Sequence, residues 1–211
     1  MKITANHLTH YYGDECVLND VTLSLESGKF VAIIGESGSG KTTLLSILST
    51  LLNPTSGEVF FDDKTVAQWG NIDEFRRKKI GFVFQFHYLI SYLTLRENIA
   101  LGAMEPSAIE PLMEALGIEK LSRRYSDEVS GGQRQRAAIA RALVNAPGVV
   151  FADEPTGNLD TKNAIMVYEL FKRFATEGTG FVVASHDKKI AEYADIIIEM
   201  EDGKIVKISR K

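Results

Sequence analysis

Nine consecutive residues, Gly35-Glu36-Ser37-Gly38-Ser39-Gly40-Lys41-Thr42-Thr43, concentrate the chemistry this chain can be expected to perform. Three glycines let a loop turn tightly and aim its backbone N–H groups inward. Such a loop wraps a polyphosphate, while the lysine ammonium meets the outer phosphates and the first threonine hydroxyl can ligate magnesium. A flexible Gly/Ser linker has a similar composition, but the flanks decide against it. The apolar run 30–34 reads as a buried strand, and Leu44, Leu45, Ile47, Leu48, Leu51 and Leu52 recur at helical spacing. The loop is therefore expected at a helix N-terminus, whose partial positive charge favours phosphate. The sequence predicts a nucleotide site.

Other polar groups stand at the ends of apolar runs. Val149-Val-Phe-Ala-Asp153-Glu154 ends a strand in two carboxylates. Asp153 is expected to hold magnesium through water, and Glu154 to polarise an attacking water as general base. A lone Asp-Glu pair is more often a solvated turn; its place about a hundred residues after the P-loop favours function. The run 181–185 ends at His186, which at the carboxyl edge of a parallel sheet is within range of a γ-phosphate. Gln85 closes the strand-like run 80–85 and is either a satisfied amide or a ligand. Val129-Ser130-Gly131-Gly132-Gln133 opens a helix. Ser130 fits an N-cap, and two glycines permit another molecule to approach the helix end, a second anion site. Taken alone, this stretch is more readily a simple Gly-rich turn into a helix.

The elements that must position these groups are legible in outline. The 211 residues suggest one domain with a subdomain, and the balance of 45% apolar to 25% charged residues is that of a soluble globular protein. A net charge of −4 gives no electrostatic footprint for nucleic acid. Cys16 is alone, so no intrachain disulfide or cysteine-built metal site is expected, which fits a reducing compartment. The first residues lack the apolar core of a signal peptide. No apolar run approaches the ~18 residues needed to span a bilayer, so a membrane role is expected only through a partner.

Strand signals occupy 3–8 and 17–25, with turns at 13–14 and 27–28. Tyr11 and Tyr12 lie in the first connection; from the residues alone, sheet-edge packing is favoured over adenine stacking. A small hairpin is expected from 58–61 and 64–66 around Asp62-Asp63. The basic run 76–79 reads as a solvated helix face, and 80–85 as a strand with Phe82, Phe84 and Phe86 on one side. From 89 to 144 helical signals replace strand signals, at 95–101, 109–116 and 132–143. Runs 196–200 and 205–208 around Glu201-Asp-Gly203 suggest a closing hairpin.

Six motifs in this order, namely the P-loop, Gln85, 129–133, Asp153-Glu154, Gly157-Asn-Leu-Asp160 and His186, resemble the ATP-binding cassette of ABC transporters over the whole chain. The resemblance implies a P-loop NTPase core of α/β class, with a mostly parallel sheet, an antiparallel β subdomain and a helical insert. Residues 1–88 and 146–211 would form the core, and 89–145 the helical subdomain, within a single cassette spanning 1–211. ATP and Mg2+ are the implied ligands. Tyr12 matches the aromatic that stacks on adenine. Gln85 matches the residue that senses magnesium and γ-phosphate at the hinge to the helical insert. Asp160 resembles the loop coupling two sites of a dimer, and Ser130 and Gly132 would contact the γ-phosphate bound by the other subunit.

The implied assembly is a head-to-tail homodimer around two ATP, seated on an integral membrane permease that docks near Gln85, Phe86, His87, Tyr88 and Leu89. Such a cassette is cytoplasmic and peripheral on the inner face of the cell membrane. The wording of 130–136 and 153–160 resembles the branch serving lipoprotein release, macrolide and peptide export, and cell division. Val129 stands where that branch usually has leucine. A soluble ABC ATPase acting on DNA or ribosomes, an importer ATPase and a small-molecule phosphotransferase are the competing readings.

Overall fold

A computed structural model describes all 211 residues. The chain forms two sheets. Strands β1 (Lys2–Tyr12), β2 (Glu15–Glu26), β4 (Ser56–Phe61) and β5 (Lys64–Thr65) make an antiparallel sheet in the order β2-β1-β4-β5. Strands β3 (Phe30–Ile34), β6 (Ile80–Val83), β7 (Val149–Asp153), β8 (Gly180–Ser185), β9 (Ile196–Glu201) and β10 (Lys204–Arg210) make the second, ordered β10-β9-β3-β8-β7-β6. All its pairs are parallel except β9–β10. The expected closing hairpin is present, but its first strand enters the sheet beside β3 rather than lying apart.

β3, β7 and β8 are continuous apolar runs because both faces of the second sheet are covered. The alternation of a strand then divides them between two cores. Phe30, Ala32, Val150, Ala152, Phe181 and Val183 pack on the face shared with the helical region. Val31, Ile33, Val149, Phe151, Val182 and Ala184 pack on the other, with the antiparallel sheet and α1 (Lys41–Leu48). Registers Ile34↔Ser185 and Asp153↔Ala184 bring three carboxyl ends side by side. Ligands bind at such an edge in open parallel sheets.

The segment 89–145 contains no strand, only short 3-10 turns and the helices α3 (Leu95–Ala100), α4 (Ile109–Ala115) and α5 (Gly131–Leu143). α3 starts from a capping box between Thr94 and Glu97. Fully buried Asn98 accepts from Ile90 N–H and donates to the carbonyls of Ile90, Leu93 and Thr94, which shapes the loop before the helix. α6 (Thr161–Thr176) covers the same core.

Three expectations need amendment. α1 stops at Leu48, short of Leu51 and Leu52: Thr50 takes a left-handed φ of 66°, and Leu51 and Leu52 N–H both donate to the Ser46 carbonyl. β6 ends at Val83, so although Phe82 and Phe84 stack 4.1 Å apart, Phe86 stands 63% exposed. The basic run ends α2 (Ile72–Lys79) and is the expected solvated face at Arg77, Lys78 and Lys79; the amendment is that Arg76 is half-buried and that both arginines also hold backbone. Arg76 donates to the Thr50 hydroxyl and carbonyl, and Arg77 to the Ala103 carbonyl.

Candidate nucleotide site

β3 delivers the chain into the loop 35–40 and α1 receives it. Gly40 is the N-cap of α1 with φ 92°, and a Cβ there would meet the Val17 carbonyl oxygen at 2.7 Å. Only glycine fits so close to that backbone in that conformation. Lys41 is 7% exposed and folds back on the loop, donating to the carbonyls of Gly35 (2.9 Å) and Glu36 (2.7 Å). A buried ammonium needs such partners, and these carbonyls hold it at the loop it is expected to serve. A cavity of about 360 Å³ opens here, lined by Ser37, Gly38, Gly40, Lys41, Thr42 and Thr43 from the loop and α1, with Gln85, Glu154 and His186 opposite. Val17 is its one apolar wall, a residue the motif reading does not single out.

Thr42 Oγ1 donates to Asp153 Oδ1 at 3.1 Å. Burial raises the Asp153 carboxyl above its usual range, countered in part by that hydroxyl and by Lys41. A half-buried carboxylate beside a hydroxyl is a hard-oxygen pair, and magnesium takes few protein ligands when phosphates and water complete its shell. The residues present fit such an ion.

Glu154 sits one residue beyond β7 with φ 45°, a left-handed conformation unusual for a side-chain-bearing residue. That turn redirects its carboxylate toward the end of β8. Oε1 accepts from the His186 backbone N–H at 2.9 Å, and Oε2 stands 2.9 Å from His186 Nδ1. Ser185, fully buried, accepts from the Asp187 N–H and holds the start of this turn. Glu154 and His186 thus form one unit across two strand ends. Its signal in the sequence is only that each residue follows an apolar strand.

Gln85 lines the cavity, and its amide rests against Gly157, where a Cβ would lie 3.0 Å from Nε2. Tyr12 is 54% exposed at the end of β1, outside the lining. His10 packs edge-on against it at 4.7 Å, itself buried with neither ring nitrogen partnered.

The stretch 129–133 lines none of this cavity. Ser130 caps α5 in a capping box, its Oγ accepting from Gln133 N–H at 3.3 Å while Gln133 Oε1 accepts from Ser130 N–H at 2.8 Å. Arg134 donates to the carbonyls of Ser126 and Val129 and fixes the approach to the helix. Asp160 caps α6, accepting from Asn163 N–H at 2.9 Å. A separate groove of about 380 Å³ runs between Phe86, His87, Tyr88 and Leu89 on one side and Ser126, Gly131 and Arg134 on the other. Arg141 of α5 donates to the carbonyls of His87 and Tyr88, so groove and helix share an anchor. No helix is long and apolar enough to cross a membrane.

Comparison with known proteins places this geometry. The family model described as ABC transporter matches residues 18–157. The lipoprotein-releasing system ATP-binding protein LolD of Aquifex aeolicus is 46% identical over 201 residues, covering 90% of this chain and 89% of that protein. The macrolide export ATP-binding/permease protein MacB of Campylobacter jejuni is 42% identical over 209 residues, covering 94% of this chain; the chain spans only 33% of that relative's length. Among solved structures, the dimeric bacterial ABC transporter cassette MJ0796 superposes with a TM-score of 0.88 at 36% identity, covering 99% of this chain and 98% of that one. A second structure of the same cassette, in a post-hydrolysis state with ADP and Pi, gives the same TM-score at 34% identity over the same shares of the two chains.

Proposed function

The chain belongs to the ABC transporter family, and from that premise we propose that it is the magnesium-dependent ATP-hydrolysing subunit of a membrane export or force-transmission complex. In this reading residues 1–88 and 146–211 form the catalytic core, 89–145 form the helical subdomain, and two copies pair head-to-tail around two ATP. The observation that carries it is the separation of the two phosphate-binding elements. Lys41, Thr42, Glu154 and His186 line one cavity, with Asp153 bonded to Thr42 at its edge, whereas the capped N-terminus of α5 lines none of it. A helix end free of bulky side chains suits a phosphate held by a second copy.

ATP binding would draw Lys41 from the carbonyls of Gly35 and Glu36 to the β- and γ-phosphates, while the loop N–H groups wrap the polyphosphate. Thr42 and Asp153 would hold the magnesium ion. Bound there, the ion supplies neutralisation of the phosphate charge. Gln85 borders the γ-phosphate position from the start of the helical region. Glu154, oriented by the His186 backbone and ring, accepts the proton of the attacking water. His186 remains beside the γ-phosphate, Tyr12 stacks on adenine, and Ser130 to Gln133 close from the partner copy. Asp160 reports one site to the other. Loss of the γ-phosphate removes the bridge between copies and lets them part.

The exposed aromatics Phe86 and Tyr88 suit a docked permease helix, and the relative named as an ATP-binding/permease protein supports such a partner. Docking there would place the protein on the cytoplasmic face of the membrane.

Glu154→Gln tests the reading. ATP affinity should persist, turnover should fall by ~10²- to 10⁴-fold, and sedimentation should reveal an ATP-dependent dimer. Near-normal hydrolysis would remove Glu154 as the base; a monomer at saturating ATP would remove the paired site. Capture of solubilised membrane proteins on the ATP-bound variant tests the partner, and recovery of no integral membrane protein would count against it.

A further inference from the structure

Gly132 has a neighbour that accounts for its identity without any nucleotide. A Cβ at 132 would lie 2.4 Å from Asn163 Oδ1 and 2.8 Å from its Cγ, inside any contact real side chains make. At Gly131 the nearest atom would be Leu159 Cδ2 at 3.7 Å, an ordinary contact. The two glycines of one motif therefore differ: 131 has room and 132 has none.

Asn163 has its side chain restrained by one hydrogen bond. Its backbone N–H donates to Asp160 Oδ1 at 2.9 Å, and its side-chain amide donates to Oδ2 at 2.8 Å. A carboxylate accepts only from the NH2 end of an amide, so the amide oxygen must face the other way, toward the Gly132 Cα. Both carboxylate oxygens of Asp160 thus accept from Asn163, and the far side of that amide abuts the first turn of α5. One residue spans the N-termini of two helices.

We propose that Asn163 is a positioning residue that makes Asp160 and the N-terminus of α5 move as one body. Displacement of Asp160 carries the Asn163 amide with it, and the close contact at Gly132 passes that displacement to Ser130–Gly132. This rests on the reading above, in which Ser130–Gly132 close over nucleotide held by a second copy. Gly132 is then a glycine because its own chain fills the space, and not only because phosphate must approach.

The test is a double-mutant cycle in the Glu154→Gln background, with Gly132→Ala, Asn163→Ala and both together. Three quantities are measured: melting temperature without nucleotide, ATP affinity of the monomer, and ATP-driven dimerisation by sedimentation. Asn163→Ala should leave monomer ATP affinity within about twofold and weaken dimerisation by about tenfold, the usual size of a coupling between sites. A merely structural role would move the melting temperature and monomer affinity instead. Gly132→Ala should melt early and dimerise poorly while Asn163 is present. Most of the melting penalty should vanish once Asn163 is removed.

If Gly132→Ala costs the same with and without Asn163, the inference is wrong. It is also wrong if Asn163→Ala dimerises like its parent. A parent that fails to dimerise with ATP refutes the paired-site reading, and the inference falls with it.

Discussion

The strand ends around the P-loop and the helix that opens at Ser130 are the two regions proposed to meet phosphate, but only the first has its polar groups tied to one another. Thr42 is bonded to Asp153, Glu154 to His186, and Lys41 to the loop it serves. At Ser130 the side chain is spent on capping its own helix, and Arg134 is spent on the carbonyls of Ser126 and Val129. The first region is preorganised within one chain. The second is a surface finished for contact, with rigidity supplied by Arg134 and Asn163 behind it. Preorganised groups act without reorganising at the moment of reaction, whereas a contact surface acts only when something arrives.

That contrast can be broken at either region. The largest effect is expected from Lys41→Ala, which should weaken ATP binding roughly 100-fold, since charge-assisted bonds to phosphate are among the strongest polar contacts. Titration of the purified variant with a fluorescent nucleotide measures it. Retention of affinity within a few-fold would mean that the loop N–H groups alone carry binding. Ser130→Ala should leave monomer ATP affinity unchanged, lower stability by about 1 kcal/mol through the lost cap, and impair dimerisation. Loss of monomer binding would show that the two regions are not divided between copies.

A smaller effect is expected at the opposite end of β3, remote from both. Burial works to raise the Asp195 carboxyl, but the Lys172 ammonium and the Phe30 N–H outweigh it and hold the group below its usual range. A carboxylate lowered in the folded state stabilises above its unfolded value near ~3.9, and that contribution is lost as pH falls through the folded value. Asp195→Asn should therefore cost about 1–2 kcal/mol at pH 7, with the gap to the parent closing in strong acid. Denaturant melts at several pH values would show it. An unchanged gap across the range would mean that the carboxylate charge contributes nothing.

Much of this was legible from residue order. The P-loop, the apolar runs of β3, β7 and β8, and the cap at Ser130 are local patterns, and local patterns survive folding. Gln85, Asp153, Glu154 and His186 are each a candidate on sequence grounds, and the parallel sheet gathers them because it aligns strand ends that are far apart in sequence. What could not be read is contact between side chains. The inward fold of Lys41, the His186 clamp on Glu154, the orphaned ring of His10 under Tyr12, and the Asn163 contact with Gly132 all depend on three-dimensional neighbours. The early end of α1 is a related case, because helical periodicity continues through Leu51 and Leu52 while the backbone turns away at Thr50.

The backbone at Glu154 has one more implication. A left-handed conformation at a glutamate costs about 1–2 kcal/mol relative to glycine or asparagine, and here it falls at the end of a buried strand. The bonds of its carboxylate to the His186 N–H and ring offset part of that cost. Under the proposed role, the remainder is strain held in the fold to aim a base at the γ-phosphate. A glycine at 154 would relieve the backbone but release the start of the turn after β8, so strain and anchorage are properties of the same residue.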